Sequence, residues 1–239
     1  MSGSPRRTVG TAVIGGVRRS PFAEAYIADM RILLALVAAV APTPSVAKLI
    51  LRPAQVGPGY VLLQRPDSVG VVNTVTLNLC GSKGYPSESL RTARLQLDYM
   101  RRGGTMQLSN EVVAYKPGGA RQAMQEVRRH ALQCPTTPID TGQQGLPPLT
   151  VTITPIKDPA LLKGYVAVRV RLTGTVKGKH VDGISFAVYQ RFGNVLSGTY
   201  SSAVVANTSE RQQERFILQA AEQSAVNLRF GGPPSGPIA

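Results

Sequence analysis

Alternating apolar and polar residues in the middle of the chain predict two paired strands followed by a helix. The alternation runs from Ala93 to Tyr99, and a period of two is typical of a strand with one buried face. A turn at 101–104 leads into a second strand, about 106–115. After the break at 116–119, apolar residues recur at helical spacing, which predicts a helix over 119–133.

The second half of the chain predicts antiparallel strands and a closing helix. The predicted strands cover 149–153, 165–176, 184–192 and 195–205. Gly193-Asn194 forms a two-residue hairpin signal between the last two strands. Ser209, with Gln212 three residues later at capping-box spacing, predicts the start of a helix over 210–228.

These elements together predict an α+β fold built on a largely antiparallel twisted sheet. Each of the two main helices, 119–133 and 210–228, has one narrow apolar stripe, so each needs a sheet face to cover. We therefore expect both helices to pack on one face of the sheet. The domain is also expected to contain one disulfide.

The first 47 residues (1–47) predict an export region. Met30 precedes the apolar run Ile32 to Ala41, and Ser45-Val46-Ala47 supplies a cleavage context with a mature start near Lys48. The apolar run is shorter than the ~20 residues that cross a bilayer. Translation from Met30, a long basic leader over 1–29, and a short buried helix are the alternatives for this segment.

The rest of the chain predicts a single α+β domain over 48–230. Residues 135–148 are rich in proline and glycine, which indicates a surface crossover, with a domain boundary as the alternative. Residues 231–239 follow a Gly-Gly-Pro-Pro sequence that ends the last helix, and they predict a disordered tail.

The chain is strongly basic, with a formal net charge of +14, and 43% of its residues are hydrophobic. Such a charge favours association with anionic polymers, lipid headgroups or acidic wall material. Specific nucleic-acid binding is not expected, because basic runs never exceed two residues and no aromatic side chains are interleaved with arginines for base stacking.

Cys80 and Cys134 are the only cysteines, and they bracket the predicted hairpin and helix. In an exported chain, two cysteines without C-x-x-C spacing predict a structural disulfide rather than a redox pair, and a metal site would need more ligands. A bridge closing a loop of this length would restrict the unfolded chain by roughly 4 kcal/mol.

The remaining candidates for chemistry favour ordinary structural roles. His180 with Asp182 lacks a serine elbow, and Gly118-Gly119 lacks the spacing of a phosphate loop and indicates a helix entry. Asp98 and Glu111 could approach each other across the hairpin, but surface charge is the expected role of both. The sequence therefore predicts no enzyme activity, no metal site and no cofactor.

Several short motifs resemble the PknH-like extracellular sensor domain family of bacteria. They are Cys80-Gly81, Tyr85-Pro86-Ser87-Glu88, Ser109 to Tyr115, Pro117-Gly118-Gly119-Ala120 and Cys134-Pro135. The resemblance covers about residues 48–230, and it implies an α+β sensor domain with a cleft between sheet and helices. Kinase-attached members typically carry four cysteines in two disulfides, so one bridge of that pattern is absent here.

We therefore expect an exported, non-catalytic sensor-like or ligand-binding domain that acts outside the cytoplasmic membrane, secreted or associated with the cell wall. Its expected partners are an unknown small molecule or envelope component, and a membrane protein is a further possible partner. The alternative is a basic structural or adhesive envelope protein that binds acidic wall polymers or lipid headgroups. No individual ligand-binding residue follows from the sequence.

Overall fold

A computed structural model describes the residues that form the predicted domain. The described ranges are 44–63, 68–71, 85–101, 106–134, 137–139, 147–203 and 209–232. All of these residues belong to one compact unit. Cys80, most of the predicted export region and the predicted tail beyond 232 lie outside them, so the disulfide, the export signal and the tail stay predictions.

The described strands form one antiparallel sheet. They are β1 (Tyr60–Leu63), β2 (Arg91–Arg101), β3 (Met106–Tyr115), β4 (Thr150–Pro155), β5 (Val166–Val176), β6 (Lys179–Phe192) and β7 (Val195–Ala203). Their order across the sheet is β1-β2-β3-β7-β6-β5-β4. The predicted hairpin and the predicted run of antiparallel strands are thus confirmed, and pairing of β3 with β7 joins them.

One strand extends further than its sequence pattern indicates. β6 begins at Lys179 rather than at residue 184, because its first residues pair with the end of β5, where Thr175 lies opposite His180. The turn between the two strands is Lys177-Gly178, and both of its residues have positive φ. The hairpin is longer than predicted because backbone pairing continues past the last apolar positions.

Within the described ranges, five helical segments accompany the sheet. They are α1 (Pro44–Leu49), α2 (Pro53–Val56), a 3-10 helix (Pro86–Leu90), α3 (Gly119–Leu132) and α4 (Glu210–Phe230). Both long helices occur where the sequence predicts them. Ser209 and Gln212 form the predicted capping box of α4, and Gly231 ends this helix in the left-handed conformation.

The two long helices cover opposite faces of the sheet, so the expectation that they share one face is wrong. Face A carries Val112 and Val188 and packs against α4, whereas face B carries Val113 and Val168 and packs against α3. Adjacent strand residues such as Val112 and Val113 point to opposite faces. The central strands therefore present apolar side chains on both faces, and each face needs its own helix.

On face A, the residues before β1 are held tightly against the sheet and α4. Asn110 Oδ1 accepts a hydrogen bond from the Leu51 backbone nitrogen at 2.9 Å, and the Tyr99 hydroxyl donates to the Leu51 carbonyl. Asn227 Nδ2 donates to the Leu49 carbonyl at 3.3 Å. Val46 is fully buried in the same core, so cleavage after Ala47 would remove a core side chain.

None of the helices within the described residues is both long enough and apolar enough to span a bilayer.

Candidate functional site

A bulge in β2 places two arginines on the same face of the sheet. Arg91 lies opposite Tyr115, but Ala93 lies opposite Ala114, so the pairing register shifts between Arg91 and Ala93. A bulge redirects the side chains that flank it. Arg91 therefore lies on face B with Arg94, although strict alternation along the strand would place these two residues on opposite faces.

Arg94 and Glu111 form the centre of a buried polar cluster on face B. The Arg94 guanidinium pairs with the Glu111 carboxylate, and their side chains are only 2% and 1% exposed. Arg94 also donates to the carbonyls of Ser68 and Gly70, each at 3.4 Å, so it fastens residues 68–71 over the sheet. Burial raises the pKa of Glu111, and the Arg94 charge opposes that rise.

Tyr200 completes this centre from the neighbouring strand. Its hydroxyl donates to Glu111 Oε2 at 3.1 Å. Burial raises the pKa of this hydroxyl well above its ordinary value, so it stays protonated and acts as a donor. Gly198, which lies opposite Glu111 in register, makes the contact possible, because a Cβ on Gly198 would stand 2.0 Å from the Tyr200 oxygen.

Two donors next to this centre have no hydrogen-bond partner among the described residues. They are Nη1 of Arg91 and the hydroxyl of Tyr115, which belong to residues directly opposite each other in register. The other nitrogens of the Arg91 side chain bond to Glu88, with a 2.7 Å ion pair between Nη2 and the Glu88 carboxylate. Burial, followed by the Glu111 charge, raises the pKa of Tyr115.

Helix α3 and the 3-10 helix enclose this end of face B. The buried Glu126 of α3 accepts hydrogen bonds from both the backbone nitrogen and the hydroxyl of Ser87. The rings of Tyr85 and His130 also contact each other at a tilt, with centroids 4.7 Å apart. We refer to Arg91, Arg94, Glu111, Tyr115 and Tyr200, with Glu88 and Glu126, as the face B cluster.

The two carboxylates of the predicted hairpin are buried, so surface charge is the wrong role for them. Asp98 is 4% exposed and Glu111 is 1% exposed. They do not face each other, because Asp98 lies opposite Ser109 whereas Glu111 lies opposite Gln96. The sequence analysis did not identify Arg94 as the partner of Glu111. The only signal for this pair was that Arg94 lies in the neighbouring predicted strand, on the same side of the sheet as Glu111.

The other sequence candidates have the structural roles that were predicted for them. His180 is exposed on β6, and Asp182 pairs with Arg171 instead of orienting the histidine. Gly118 precedes α3 in the left-handed conformation, which confirms the predicted helix entry. Gly119 also permits close packing, because a Cβ there would lie 2.9 Å from the Tyr115 Cβ.

Cys134 is half-buried just after α3 and packs with the face B core. Beside it, an open groove of about 250 Å³ runs between the end of α3 and β4, lined by residues that include Leu132, Cys134 and Val151. Across the described ranges, no group of three or more histidine, cysteine or acidic side chains has the arrangement of a metal site. The groove is lined by apolar and threonine side chains together with Cys134.

Surface charge is distributed very unevenly over the described residues. Lysines and arginines are exposed on many of the described elements, whereas the acidic residues there other than Asp182 are half-buried or buried. Glu111, Glu126 and Asp98 are buried, so their charges contribute little to the outer surface. The exposed surface is therefore strongly cationic.

Comparison with solved structures finds a weak similarity of fold. The crystal structure of the extracellular domain of PknH from Mycobacterium tuberculosis matches 77% of this chain and 97% of its own chain, with 13% sequence identity and a TM-score of 0.47. No family model and no curated protein matches this chain. A similarity of this size assigns no function to the chain.

Proposed function

We propose that this chain is a non-catalytic, sensor-like binding domain that acts outside the cytoplasmic membrane. The supporting observation is the pair of buried donors, Arg91 Nη1 and the Tyr115 hydroxyl, without partners among the described residues. Buried polar groups in proteins are nearly always satisfied by protein, water or ligand, and each one left bare costs about 1–3 kcal/mol. An acceptor from outside the chain would satisfy both donors.

The charges of the face B cluster favour a neutral ligand. Two arginines, Arg91 and Arg94, lie among three carboxylates, those of Glu88, Glu111 and Glu126, so the cluster has a slight excess of negative charge. An anion would meet repulsion from these carboxylates. We therefore propose a small neutral molecule whose carbonyl or hydroxyl oxygens accept hydrogen bonds from Arg91 and Tyr115.

The arrangement of the acidic groups is unfavourable for catalysis. Glu111 is held by Arg94 and Tyr200, and Glu126 is held by Ser87, so neither carboxylate is presented to an open cleft as an acid or base. Action outside the membrane rests on the predicted export region. A small molecule or envelope component and a membrane protein remain the proposed partners.

Native mass spectrometry of protein purified from its own culture medium tests this function. We expect a noncovalent small-molecule adduct on the unmodified chain and loss of that adduct in Tyr115→Phe, which removes one donor and little volume. Tyr60→Phe is the matched control, because Tyr60 packs against the face A core. Recovery of the bare chain alone would contradict the binding function, and absence of the protein from both the medium and the cell-wall fraction would contradict its location.

A second candidate function is attachment to anionic envelope material. The observation that favours it is the cationic outer surface of the described residues, where exposed lysines and arginines far outnumber exposed or half-buried carboxylates. Long-range attraction of this kind weakens as salt is added, because the Debye length falls to about 8 Å at physiological ionic strength. Binding to a buried neutral ligand would not weaken in this way.

A further inference from the structure

We propose that the outer side of α3 docks onto the surface of an anionic lipid bilayer. This inference rests on the second candidate function, and it adds the docking surface and the chemical class of the partner. The docking surface is a group of exposed cations that we call the α3 patch. Its members are Lys116, Arg121, Arg128, Arg129, Lys163 and Arg191.

The helical repeat separates the two sides of α3. Ala123, Met124 and Val127 pack into the face B core, whereas Arg121, Arg128 and Arg129 are exposed. Residues three, four or seven apart lie on the same side of a helix, so Arg121 and Arg128 follow one line along its outer surface. The inner stripe is already occupied, and only the outer side is free to meet a partner.

Neighbouring loops add cations at both ends of this line. Arg128 Nη2 donates to the Gly164 carbonyl at 3.0 Å, which brings the exposed Lys163 beside the helix. At the start of α3, the Gly118 nitrogen donates to Asn194 Oδ1 at 3.4 Å. This contact joins the segment containing Lys116 to the β6–β7 turn, which follows Arg191.

Helix α3 exposes arginines but no acidic residue of its own. Glu126 is the only acidic residue of α3, and it is buried against Ser87. On α4, by comparison, the exposed Arg211 and Arg215 have Glu214 between them. The exposed cations of α3 are therefore not neutralised by an exposed carboxylate of the same helix, and Lys116, Lys163 and Arg191 lie on segments next to it.

An exposed leucine favours a lipid bilayer over a soluble polyanion. Leu132 ends α3 on the same side as Arg128 and is 74% exposed. An apolar side chain beside arginines is typical of helices that lie at a membrane interface, where the leucine enters the acyl boundary and the cations meet phosphates. A soluble polymer would attract the cations but would give Leu132 no apolar environment.

Vesicle sedimentation of the purified full chain tests the inference. We expect binding to vesicles of phosphatidylcholine with phosphatidylglycerol, and little binding to phosphatidylcholine alone, at an ionic strength of about 0.15 M. The triple variant Arg121→Glu, Arg129→Glu, Lys163→Glu should bind the anionic vesicles at least on the order of 100-fold more weakly. The matched control, Lys179→Glu, Arg211→Glu, Arg215→Glu, makes the same change in net charge and should bind nearly as well as the unmodified chain.

Leu132→Asn separates the lipid surface from a soluble polyanion. We expect this variant to bind anionic vesicles about five- to tenfold more weakly, and to bind soluble polyphosphate as well as the unmodified chain does. Unchanged vesicle binding of Leu132→Asn would overturn the lipid assignment. Equal losses in the two triple variants, or no vesicle binding by the unmodified chain, would overturn the α3 patch, whereas the ligand adduct of face B would be unaffected.

Discussion

Arg94 and Glu111 occupy buried positions on face B where apolar residues would usually be placed. A buried ion pair recovers its desolvation cost only when its geometry is good and its remaining polar atoms are bonded. Here Tyr200, Ser68 and Gly70 provide those additional bonds. The pair consequently ties two strands and the segment 68–71 into one arrangement, and loss of one partner would leave a buried charge.

A substitution at Gly198 that adds a single carbon atom tests this arrangement. We expect Gly198→Ala to destabilise the protein by about 1–3 kcal/mol, because the new Cβ displaces the Tyr200 hydroxyl from Glu111. Urea denaturation measures the change in the free energy of unfolding. Gly183→Ala is the control, since a Cβ there meets no atom within 4 Å; equal effects of the two variants would show that Tyr200 adapts without cost.

At the scale of secondary-structure elements, α4 is defined at both ends and on its buried side. The Ser209–Gln212 capping box begins the helix, and Gly231 ends it in the left-handed conformation. Between these ends, Ile217 and Ala221 are buried against face A. Each of these features depends on residues close together in the chain, so the bounds of the helix were predictable.

Aspartate substitutions at residues 217 and 219 test which side of α4 is buried. Ile217 is fully buried and Gln219 is exposed. We expect Ile217→Asp to lower the free energy of unfolding by about 3–5 kcal/mol, because an unpaired carboxylate would be buried, and Gln219→Asp to lower it by less than about 0.5 kcal/mol. Similar melting temperatures for the two variants would mean that the helix contacts the sheet by another side.

At the scale of the whole molecule, α1 is part of the core although the sequence indicates an export signal there. Val46 and Ile50 are fully buried, and Arg52 Nη2 donates to the Ala47 carbonyl at 3.2 Å. A mature chain that begins near Lys48 would lack both Val46 and the Ala47 carbonyl. The predicted cleavage position therefore has a measurable consequence for stability.

Two chains that begin at different residues measure that consequence. We expect a chain beginning at Lys48 to be about 2–3 kcal/mol less stable than one beginning at Pro44, because it lacks the buried Val46 side chain and the contact with Arg52. Thermal unfolding compares the two chains under the same conditions. Identical unfolding curves would show that Val46 does not stabilise the core and that cleavage after Ala47 does not destabilise the protein.

The sequence determined the features that arise from neighbouring residues. The strands over Arg91–Arg101 and Met106–Tyr115, the Gly118 helix entry and the Ser209 cap all follow from alternation, backbone conformation or capping, whose effects extend over only a few residues. Their existence was therefore predictable from the chain alone, whereas the start of β6 depended on pairing with β5.

Only the tertiary structure decided what covers each face of the sheet. A period of two separates the faces of a strand, but it does not tell which of them meets solvent. Asp98 and Glu111 were expected at the surface and are buried, as Arg94 is, and segments distant in the chain, such as 68–71, lie over part of this face. The same physical reason explains why α3 and α4 lie on opposite faces: an amphipathic helix requires an apolar surface, and its own sequence does not specify which one.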